Sequence, residues 1–454
     1  MSTANALEVG RLMSEAPMTA RHWQIVCVGA VLMMLDGYDL SVMGIVLPTM
    51  AEAWKLEPSA FKWALSASLI GVGVGSVLAG LMGDRWGRKK TLLFMYGFGS
   101  VACLATVTAT DVSQLILWRF LVGVGMGGAI PNVISLVSEL MPAQRRAFQI
   151  VLVYSGAALG GALGSLLGSY LIPHFGWTSA FYVGGIAPLA IAVIVWLAVP
   201  ESPAFLVSRE RNVEARATVR RFLPTLPEDT QLIMAAQSGA EAGSSGFSGL
   251  FSHGRAGSTL LIWLLFICTQ AMVFFIQSWY VTLLARTGDP IDTVLRTFSL
   301  WDFGALIGGV LVAWLATRIA LEKLLCFAYI MAAGCLFMLS QVSSISAATA
   351  IVTFATGFSI VGASFCMGAL AATYYPTRIR TTGIGMGLGV GRVGSISSPL
   401  IAGALISAGW TNAQIFSAAI IPAVVASVAV LALLKWGRRQ ELVNPGASHR
   451  ALAD

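Results

Sequence analysis

The chain has 454 residues, of which 57% are hydrophobic and only 11% are charged. Soluble proteins average about 25% charged residues, so this composition excludes the soluble class. The formal net charge of +7 could indicate nucleic-acid binding, but the basic residues cluster in short stretches between apolar segments. In such stretches they set the orientation of a membrane protein, which accounts for the basicity.

Twelve apolar segments follow a polar stretch of 22 residues. That stretch has no short apolar core and no small-residue cleavage site, so it predicts a retained tail rather than a signal peptide. About 20 helical residues cross a hydrocarbon layer roughly 30 Å thick. The sequence therefore predicts an all-α membrane protein whose twelve transmembrane helices cover residues 23–48, 60–82, 91–109, 115–138, 148–171, 177–199, 259–284, 298–317, 322–342, 345–372, 383–407 and 411–435.

Most basic residues lie on one side of these predicted helices. If both termini are cytoplasmic, the segments facing the cytoplasm hold 22 of the 28 Lys and Arg residues. The opposite side holds four, and two, Arg119 and Arg392, fall within predicted helices. Because positive residues concentrate on the cytoplasmic side, we expect a multi-pass protein with both termini in the cytoplasm.

The first predicted helix carries two carboxylates near its middle, Asp36 and Asp39, in the sequence Asp-Gly-Tyr-Asp. Residues three apart lie on one face of a helix, so both should point towards protein or water rather than lipid. A carboxylate at the centre of a spanning helix costs roughly 2.5–3.5 kcal/mol on insertion scales. We therefore predict that Asp36 and Asp39 are proton-coupling residues.

The loop between the second and third predicted helices reads Gly80-Leu-Met-Gly83-Asp84-Arg85-Trp86-Gly87-Arg88-Lys89-Lys90. It resembles the G-x-x-x-D-R-x-G-R-K signature of the major facilitator superfamily. Glycines allow a tight turn between helices, and an aspartate can hold a helix N-terminus or an arginine. We predict a cytoplasmic gate here, formed by Gly83, Asp84, Arg85, Gly87 and Arg88; the alternative is that the four cations only set the topology.

The fourth predicted helix contains Arg119-Phe-Leu-Val-Gly123-Val-Gly125, which resembles the superfamily's R-x-x-x-G-x-G pattern. A buried guanidinium needs a carboxylate or an anionic ligand, and Asp36 or Asp39 could supply the carboxylate. The sequence leaves open whether Arg119 forms a structural ion pair or serves in substrate binding or coupling.

Charged residues at the other end of the fourth helix extend the predicted gate. Glu139, Arg145 and Arg146 are expected to form a network with Asp84 and Arg85, although solvated surface charges would give the same pattern.

The second half of the chain has a stretch that matches this helix end. Thr373–Arg380 aligns with Glu139–Arg146, with proline on proline and arginine on the final arginine. Two cations of the second stretch, Arg378 and Arg380, are assigned to the same gate. The match indicates that the two halves of the chain are related by duplication.

A duplicated unit with a central site is a common plan of secondary transporters. The long loop between the halves is amphipathic from Pro203 to Leu223 and rich in Gly and Ser from Ser238 to Ser258, which predicts a short surface helix and a flexible linker. The predicted organisation is a cytoplasmic tail at 1–22, two pseudo-symmetric six-helix halves at 23–199 and 259–435, a cytoplasmic linker loop at 200–258, and a cytoplasmic tail at 436–454.

Glycine spacing in the fifth predicted helix indicates close packing against another helix. Gly156, Gly160, Gly164 and Gly168 lie four residues apart, so they form one stripe of small residues.

The eleventh predicted helix is rich in glycine and carries Arg392 near its middle. No acidic residue occurs in the tenth to twelfth helices to neutralise this cation. A substrate carboxylate could supply the missing charge; the alternative is an ion pair with Asp36, Asp39 or Asp302. We place Asp302 about one turn inside the outer end of the eighth helix, where it is expected to be structural, reaching the interface or pairing with Arg296.

Taken together, several motifs resemble the aromatic acid:proton symporters of the major facilitator superfamily. They are Asp36-Gly-Tyr-Asp39, the loop at 80–90, Arg119 with its glycines, Pro131-Asn132 continuing to Glu139, Pro200-Glu201-Ser202, and Tyr375-Pro-Thr-Arg378 leading to Arg392. The resemblance covers residues from about 20 to 435. It implies the major facilitator fold and a symporter that carries a benzoate-, 4-hydroxybenzoate- or protocatechuate-like aromatic carboxylate into a bacterium with protons, by alternating access across the inner membrane.

Two other classes remain open, a drug or metabolite exporter of the same fold and a membrane sensor that does not transport. An enzyme is not expected, because no nucleophile–base pair and no metal-ligand cluster appears within the predicted helices. We expect no cofactor and no metal, with the proton gradient as the energy source. The expected partners are the lipid bilayer, protons and a small aromatic carboxylate, without nucleic acid, and we expect a monomer.

Overall fold

The computed structural model describes residues 6–227, 230–233, 247–252 and 254–443. Backbone contacts divide the chain into two compact units, unit 1 from Met1 to Ala240 and unit 2 from Glu241 to Asp454. The boundary falls within the loop predicted at 200–258. Residues 234–246, which hold much of the predicted Gly/Ser-rich linker, lie outside the described residues.

Unit 1 contains six long helices, which cover the first six predicted spans, and several short elements that precede and follow them. Helix α3 packs along α5, α2 along α6, and α4 against both α5 and α7. Its elements are β1 (Ala6–Glu8), α1 (Val9–Glu15), α2 (Ala20–Trp54), α3 (Lys62–Trp86), α4 (Arg88–Thr106), α5 (Val112–Leu140), α6 (Ala143–Phe175), α7 (Thr178–Ala198), α8 (Pro203–Ser208), α9 (Asn212–Arg220) and β2 (Gln231–Ile233).

Unit 2 repeats the same pattern of neighbours. Helix α11 packs along α13, α10 along α14, and α12 against both α13 and α16. Its helices are α10 (Ala256–Ala285), α11 (Ile291–Leu315), α12 (Leu321–Ser340), α13 (Ala347–Tyr374), α14 (Thr377–Ser407), α15 (Asn412–Ala418) and α16 (Ile420–Val443).

Eleven helices within the described residues are long and apolar enough to cross a membrane. The remaining predicted span is α4, a helix of 19 residues whose first three residues are Arg88, Lys89 and Lys90. These cations shorten its apolar part to less than the usual length of a spanning helix. The prediction of an all-α membrane protein is confirmed.

Capping residues make α2 longer than the predicted span at 23–48. At its N-terminus, the backbone N–H of Thr19 donates to the ring Nδ1 atom of His22 at 3.0 Å, as part of a capping box. At its C-terminus, Lys55 adopts a φ of 53° and its N–H donates to the carbonyls of Ala51 and Glu52. Caps act on backbone groups and are independent of hydropathy, so the apolar pattern underestimates the length of this helix.

The predicted twelfth span, residues 411–435, is interrupted at Ala419, between α15 and α16. Pro422 follows three residues later and has no N–H to donate to the carbonyl of Ala418, so one hydrogen bond of a continuous helix could not form. The apolar pattern continues through the break, and only the proline marks it.

Residues 6–15 form two short elements that the sequence did not indicate. Strand β1 pairs in parallel with β2, with Leu7 opposite Leu232, and α1 packs against α5 and α8. Strands of three residues carry too little periodic signal to be recognised. The surface helix predicted from Pro203 to Leu223 is two helices, α8 and α9, because Glu210 between them adopts a φ of 59° and ends the helical path.

Glycines bring α3 and α5 into backbone contact. A Cβ atom on Gly71 would overlap the carbonyl oxygen of Phe120, and one on Gly75 would overlap that of Val124. Small residues at such positions let two membrane helices approach closely.

The same contacts recur between α11 and α13 of unit 2. A Cβ atom on Gly304 would overlap the carbonyl oxygen of Phe354, and one on Gly308 would overlap that of Phe358. Gly304 therefore corresponds to Gly71 of unit 1, and Gly308 corresponds to Gly75. The two units are repeats of one arrangement at this helix pair.

This packing gives a stability prediction. Gly75→Ala is expected to destabilise the protein by about 1–3 kcal/mol, because the added methyl group must displace the backbone of α5. Gly73→Ala in the same helix is the control, since a Cβ atom there has nothing within 4 Å. Thermal unfolding of the purified protein in detergent measures both; equal midpoints for the two variants would contradict the close approach.

Candidate functional site

The acid-bearing turn of α2 is held by tight packing against α6. A Cβ atom on Gly37 would overlap the carbonyl oxygen of Ala157, and one on Gly160 would overlap that of Met34. A Cβ atom on Gly164 would lie 3.0 Å from the ring of Tyr38, and the Tyr38 hydroxyl donates to the carbonyl of Ala180 at 2.7 Å. The predicted close packing of the α6 glycine stripe is confirmed at Gly156, Gly160 and Gly164.

Asp39 and Arg119 form a buried ion pair between α2 and α5. The Arg119 Nη1 atom lies 2.9 Å from Asp39 Oδ1, and Nη2 donates to Oδ2 at 3.4 Å and to the Asp39 carbonyl at 3.3 Å. The two residues, Asp39 and Arg119, are 2% and 1% exposed. The sequence left Asp36 and Asp39 open as partners of Arg119, and the structure places Asp39 there. Asp36, one turn earlier, is also buried at 4% exposure.

The surroundings of Arg119 fix its position but leave one donor unused. Its carbonyl accepts a hydrogen bond from Ser68 Oγ at 3.1 Å, and its guanidinium carbon lies 5.9 Å from the centre of the Phe181 ring. Its buried Nε atom has no hydrogen-bond partner among the described residues. A guanidinium has five N–H donors, so Arg119 can bind a second anionic group besides Asp39.

A second set of charges lies where α3 turns into α4. Gly87 adopts a φ of 102°, which only glycine takes easily, and the turn brings Arg88 back beside Asp84 at 2.7 Å. The Arg88 Nε atom also lies 3.6 Å from Glu139 at the end of α5. Arg88 therefore links the α3–α4 turn to α5, and we call Asp84, Arg88 and Glu139 the Arg88 cluster.

Two residues after α7, Glu201 and Ser202, complete this region, and the sequence did not point to a role for either. Glu139 accepts hydrogen bonds from Ser135 Oγ at 3.0 Å and from the hydroxyl of Ser202. Glu201 accepts from the backbone N–H of Lys89 at 3.0 Å. The available signal was Pro200-Glu201-Ser202, which contributed to the family resemblance but could not reveal which charges it would meet.

The ion pairs predicted for Arg85, Arg145 and Arg146 do not form among the described residues. Arg85 and Arg145 are exposed and form no ion pair there. Arg146 points back and donates to the carbonyl of Met141 at 3.2 Å. In unit 2, Arg380 makes the equivalent contact, donating to the carbonyl of Tyr375 at 3.4 Å. The side chain of Arg378 lies outside the described residues, and a gating role for these cations stays a prediction.

In unit 2, Arg392 lies on α14 and is half-buried. Asp302 lies at the middle of α11 rather than one turn from its end, because α11 begins at Ile291 instead of residue 298. It is 5% exposed, and Arg296 lies 3.6 Å from Asp292 instead. The expectation that Asp302 reaches the interface or pairs with Arg296 is wrong.

Arg119 of unit 1 has no charged counterpart at the matching position of unit 2. When the alignment of Thr373–Arg380 with Glu139–Arg146 is continued back along both helices, Thr353 takes the position of Arg119. Its hydroxyl group hydrogen-bonds to that of Tyr280.

Among the described residues, no group of three or more His, Cys, Asp or Glu residues could hold a metal ion.

Comparison with known proteins agrees with these features. The sequence matches the model of the Major Facilitator Superfamily over residues 29–365. A gallate transporter of Pseudomonas putida is 31% identical, with 94% of this chain and 95% of that protein covered. The 4-hydroxybenzoate transporter PcaK of Pseudomonas aeruginosa is 32% identical, with 94% and 95% covered.

A solved structure shows the same fold. The inward open conformation of the xylose transporter XylE from E. coli matches with a TM-score of 0.69 at 16% identity, covering 91% of this chain and 96% of that one. The predicted twelve-helix fold is confirmed, and so is the prediction that the protein is not an enzyme. The chain belongs to the major facilitator superfamily of membrane transporters.

Proposed function

We propose that the protein imports an aromatic carboxylate together with protons across the bacterial cytoplasmic membrane, by alternating access and with both termini inside. The observation that carries this proposal is the buried pair of Asp39 and Arg119, one group that can take a proton and one that can bind a carboxylate. The gallate and 4-hydroxybenzoate transporters similar to this chain support the substrate class.

Protonation of Asp39 weakens its ion pair with Arg119. A protonated Asp39 carries no charge, so it holds the Arg119 guanidinium less strongly than the carboxylate does. Leaving a buried charge without a partner costs about 3–5 kcal/mol, so the weakened pair favours a second anion near Arg119. A substrate carboxylate meets that need, and the unused Nε donor of Arg119 is available to it.

A second cation, Arg392 on α14, is proposed to bind substrate as well. It is half-buried within a predicted span, and a guanidinium can hold a carboxylate through two parallel hydrogen bonds. Proton and substrate together then permit closure on one side and opening on the other.

The experiment is uptake of radiolabelled 4-hydroxybenzoate by proteoliposomes containing the purified protein. An inward proton gradient is expected to drive accumulation, and a protonophore is expected to abolish it. Uptake that is indifferent to the protonophore would remove the proton-coupling proposal. Efflux of loaded substrate against its gradient, without uptake, would favour the exporter of the same fold.

The Arg88 cluster gives a second prediction for transport. Arg88→Gln is expected to slow uptake roughly fivefold, because it breaks a partly buried link between the α3–α4 turn and α5 worth about 1 kcal/mol. Lys90→Gln is the matched control, since Lys90 is an exposed cation of the same turn that is not assigned to the gate and forms no ion pair among the described residues. Equal uptake rates for the two variants would show that the cluster does not act in gating.

A further inference from the structure

An acidic residue, Asp302, lies deep inside unit 2. It is the twelfth of the 25 residues of α11 and is 5% exposed. Its Oδ2 atom has no hydrogen-bond partner among the described residues. Nothing in the function proposed above uses this carboxyl group.

The helices packed against α11 offer no charge to neutralise it. Neither α10 nor α13 contains Asp, Glu, Lys, Arg or His. Their titratable side chains are thiols and phenols, namely Cys268, Tyr280, Cys366 and Tyr374. The ring of Tyr280 stacks on Phe298, one turn before Asp302, at 5.2 Å, while its hydroxyl is bonded to Thr353.

The other charged residues of α11 do not neutralise Asp302 either. Asp292 and Arg296 lie in its first two turns and are 3.6 Å apart, so they pair with each other. The nearest cation along the helix is therefore engaged and lies nearer the end of α11 than Asp302 does. Asp302 has an apolar environment without a counter-ion on any of these three helices.

The fold does not require an acid at this position. The glycine contacts match Gly304 of α11 with Gly71 of α3, so Leu69, two positions before Gly71, corresponds to Asp302. Leu69 is buried at 3% exposure, and the same place in the repeat is thus filled by an apolar side chain. A carboxyl group that packing does not need points to a chemical role.

We propose that Asp302 is a second proton-binding site, located in unit 2 and separate from the acid pair of unit 1. An isolated carboxylate in an apolar interior is far more costly than the neutral acid, so the group holds a proton while it is enclosed. It releases that proton only when a conformational change brings water to α11.

A second proton changes the net charge that moves with the substrate; this consequence rests on the proposed symport. A carboxylate anion that moves with one proton carries no net charge, whereas with two protons it carries one positive charge inward. The membrane potential then adds to accumulation, by up to roughly 50-fold per 100 mV for one charge.

Infrared spectroscopy of the purified protein tests proton binding without any transport. Near neutral pH, we expect the wild type to show a stretching band of protonated carboxyl groups. In Asp302→Asn and in Asp302→Leu this band should be weaker by the intensity of one group. Asp302→Leu introduces the residue of unit 1 and is expected to fold. Asp292→Asn, on the same helix but at a more exposed pair, is the control and should keep the band. An unchanged band in both Asp302 variants would overturn the proposal.

Uptake into proteoliposomes under an imposed inside-negative potassium diffusion potential tests the role in coupling. The potential is expected to increase accumulation by the wild type and by Asp292→Asn, and to have no effect on Asp302→Asn. If Asp302→Asn loses the infrared band yet still responds to the potential, the transport role is overturned. Failure of the wild type to take up any aromatic acid would instead refute the proposed function, and the infrared result would stand apart from it.

Discussion

Asp39→Asn is expected to abolish proton-driven accumulation of the substrate while leaving substrate exchange intact. Asparagine resembles the protonated acid in shape and charge, so the variant can bind substrate but cannot take up and release a proton. Exchange of labelled for unlabelled substrate needs no net proton movement and should continue. Proteoliposomes loaded with unlabelled 4-hydroxybenzoate measure exchange, and empty ones with an imposed proton gradient measure accumulation.

The same substitution should also reduce stability. Arg119 is 1% exposed and would lose its carboxylate partner, and removing one member of a buried pair costs about 3–5 kcal/mol. The double variant Asp39→Asn with Arg119→Gln removes the unpaired charge, so it should recover stability without recovering accumulation. Its thermal midpoint separates a folding defect from a coupling defect.

The control for this prediction is Glu52→Gln, an exposed acid on the same helix. It should accumulate substrate like the wild type. Asp36→Asn, one turn before Asp39, is expected to lose accumulation as well if both acids take part in coupling. Wild-type accumulation by Asp39→Asn would show that the Asp39–Arg119 pair is structural only.

The sequence was sufficient to find this pair but not to choose its acid. Spacing puts Asp36 and Asp39 on one face of α2, and hydropathy alone cannot say which turn of α2 lies beside α5. That register depends on where Gly37 and Gly160 let α2 and α6 touch. It is a property of packing in three dimensions, which a pattern in one chain segment does not contain.

For the predicted gate, too, the sequence indicated the region but not its contacts. The motif at 80–90 correctly marked a tight turn, and Gly87 with its φ of 102° forms it. Which cation the turn would direct towards Glu139 depends on the path of the backbone after Gly87, and that path selects Arg88 rather than Arg85. Ser202 reaches the same carboxylate from a segment 63 residues away, and such a contact leaves no mark in local spacing.

Hydropathy misplaced Asp302 for a different reason. The first two turns of α11 contain Asp292, Thr293 and Arg296, so their mean hydropathy is low and the predicted helix begins late. With that late start, the prediction places Asp302 close to an aqueous end, where an acid is easily solvated. The observed helix starts seven residues earlier, which moves Asp302 to the middle of the helix and changes the interpretation of its charge.

Arg392→Gln is expected to raise KM for an aromatic carboxylate at least 30-fold, with a smaller effect on the maximal rate. Truncating one partner of a buried charged hydrogen bond costs about 2–5 kcal/mol, which corresponds to roughly 30-fold to several-thousand-fold in affinity. The loss should appear in KM because the carboxylate is charged before and after translocation, so Arg392 binds it in both states. Arg392→Lys keeps the charge without the planar guanidinium, so its KM should lie between those of the wild type and of Arg392→Gln.

Two comparisons decide whether the effect on KM concerns charge recognition. Arg296→Gln is the control, because Arg296 is an exposed cation of the same unit that lies beside Asp292. It should leave KM unchanged. The amide of 4-hydroxybenzoate, which lacks the negative charge, should inhibit the wild type weakly and should inhibit Arg392→Gln to a similar degree, because the lost interaction is with the carboxylate. If Arg392→Gln instead transports the acid with the wild-type KM, the carboxylate must be bound by Arg119 alone, and binding would reside in unit 1.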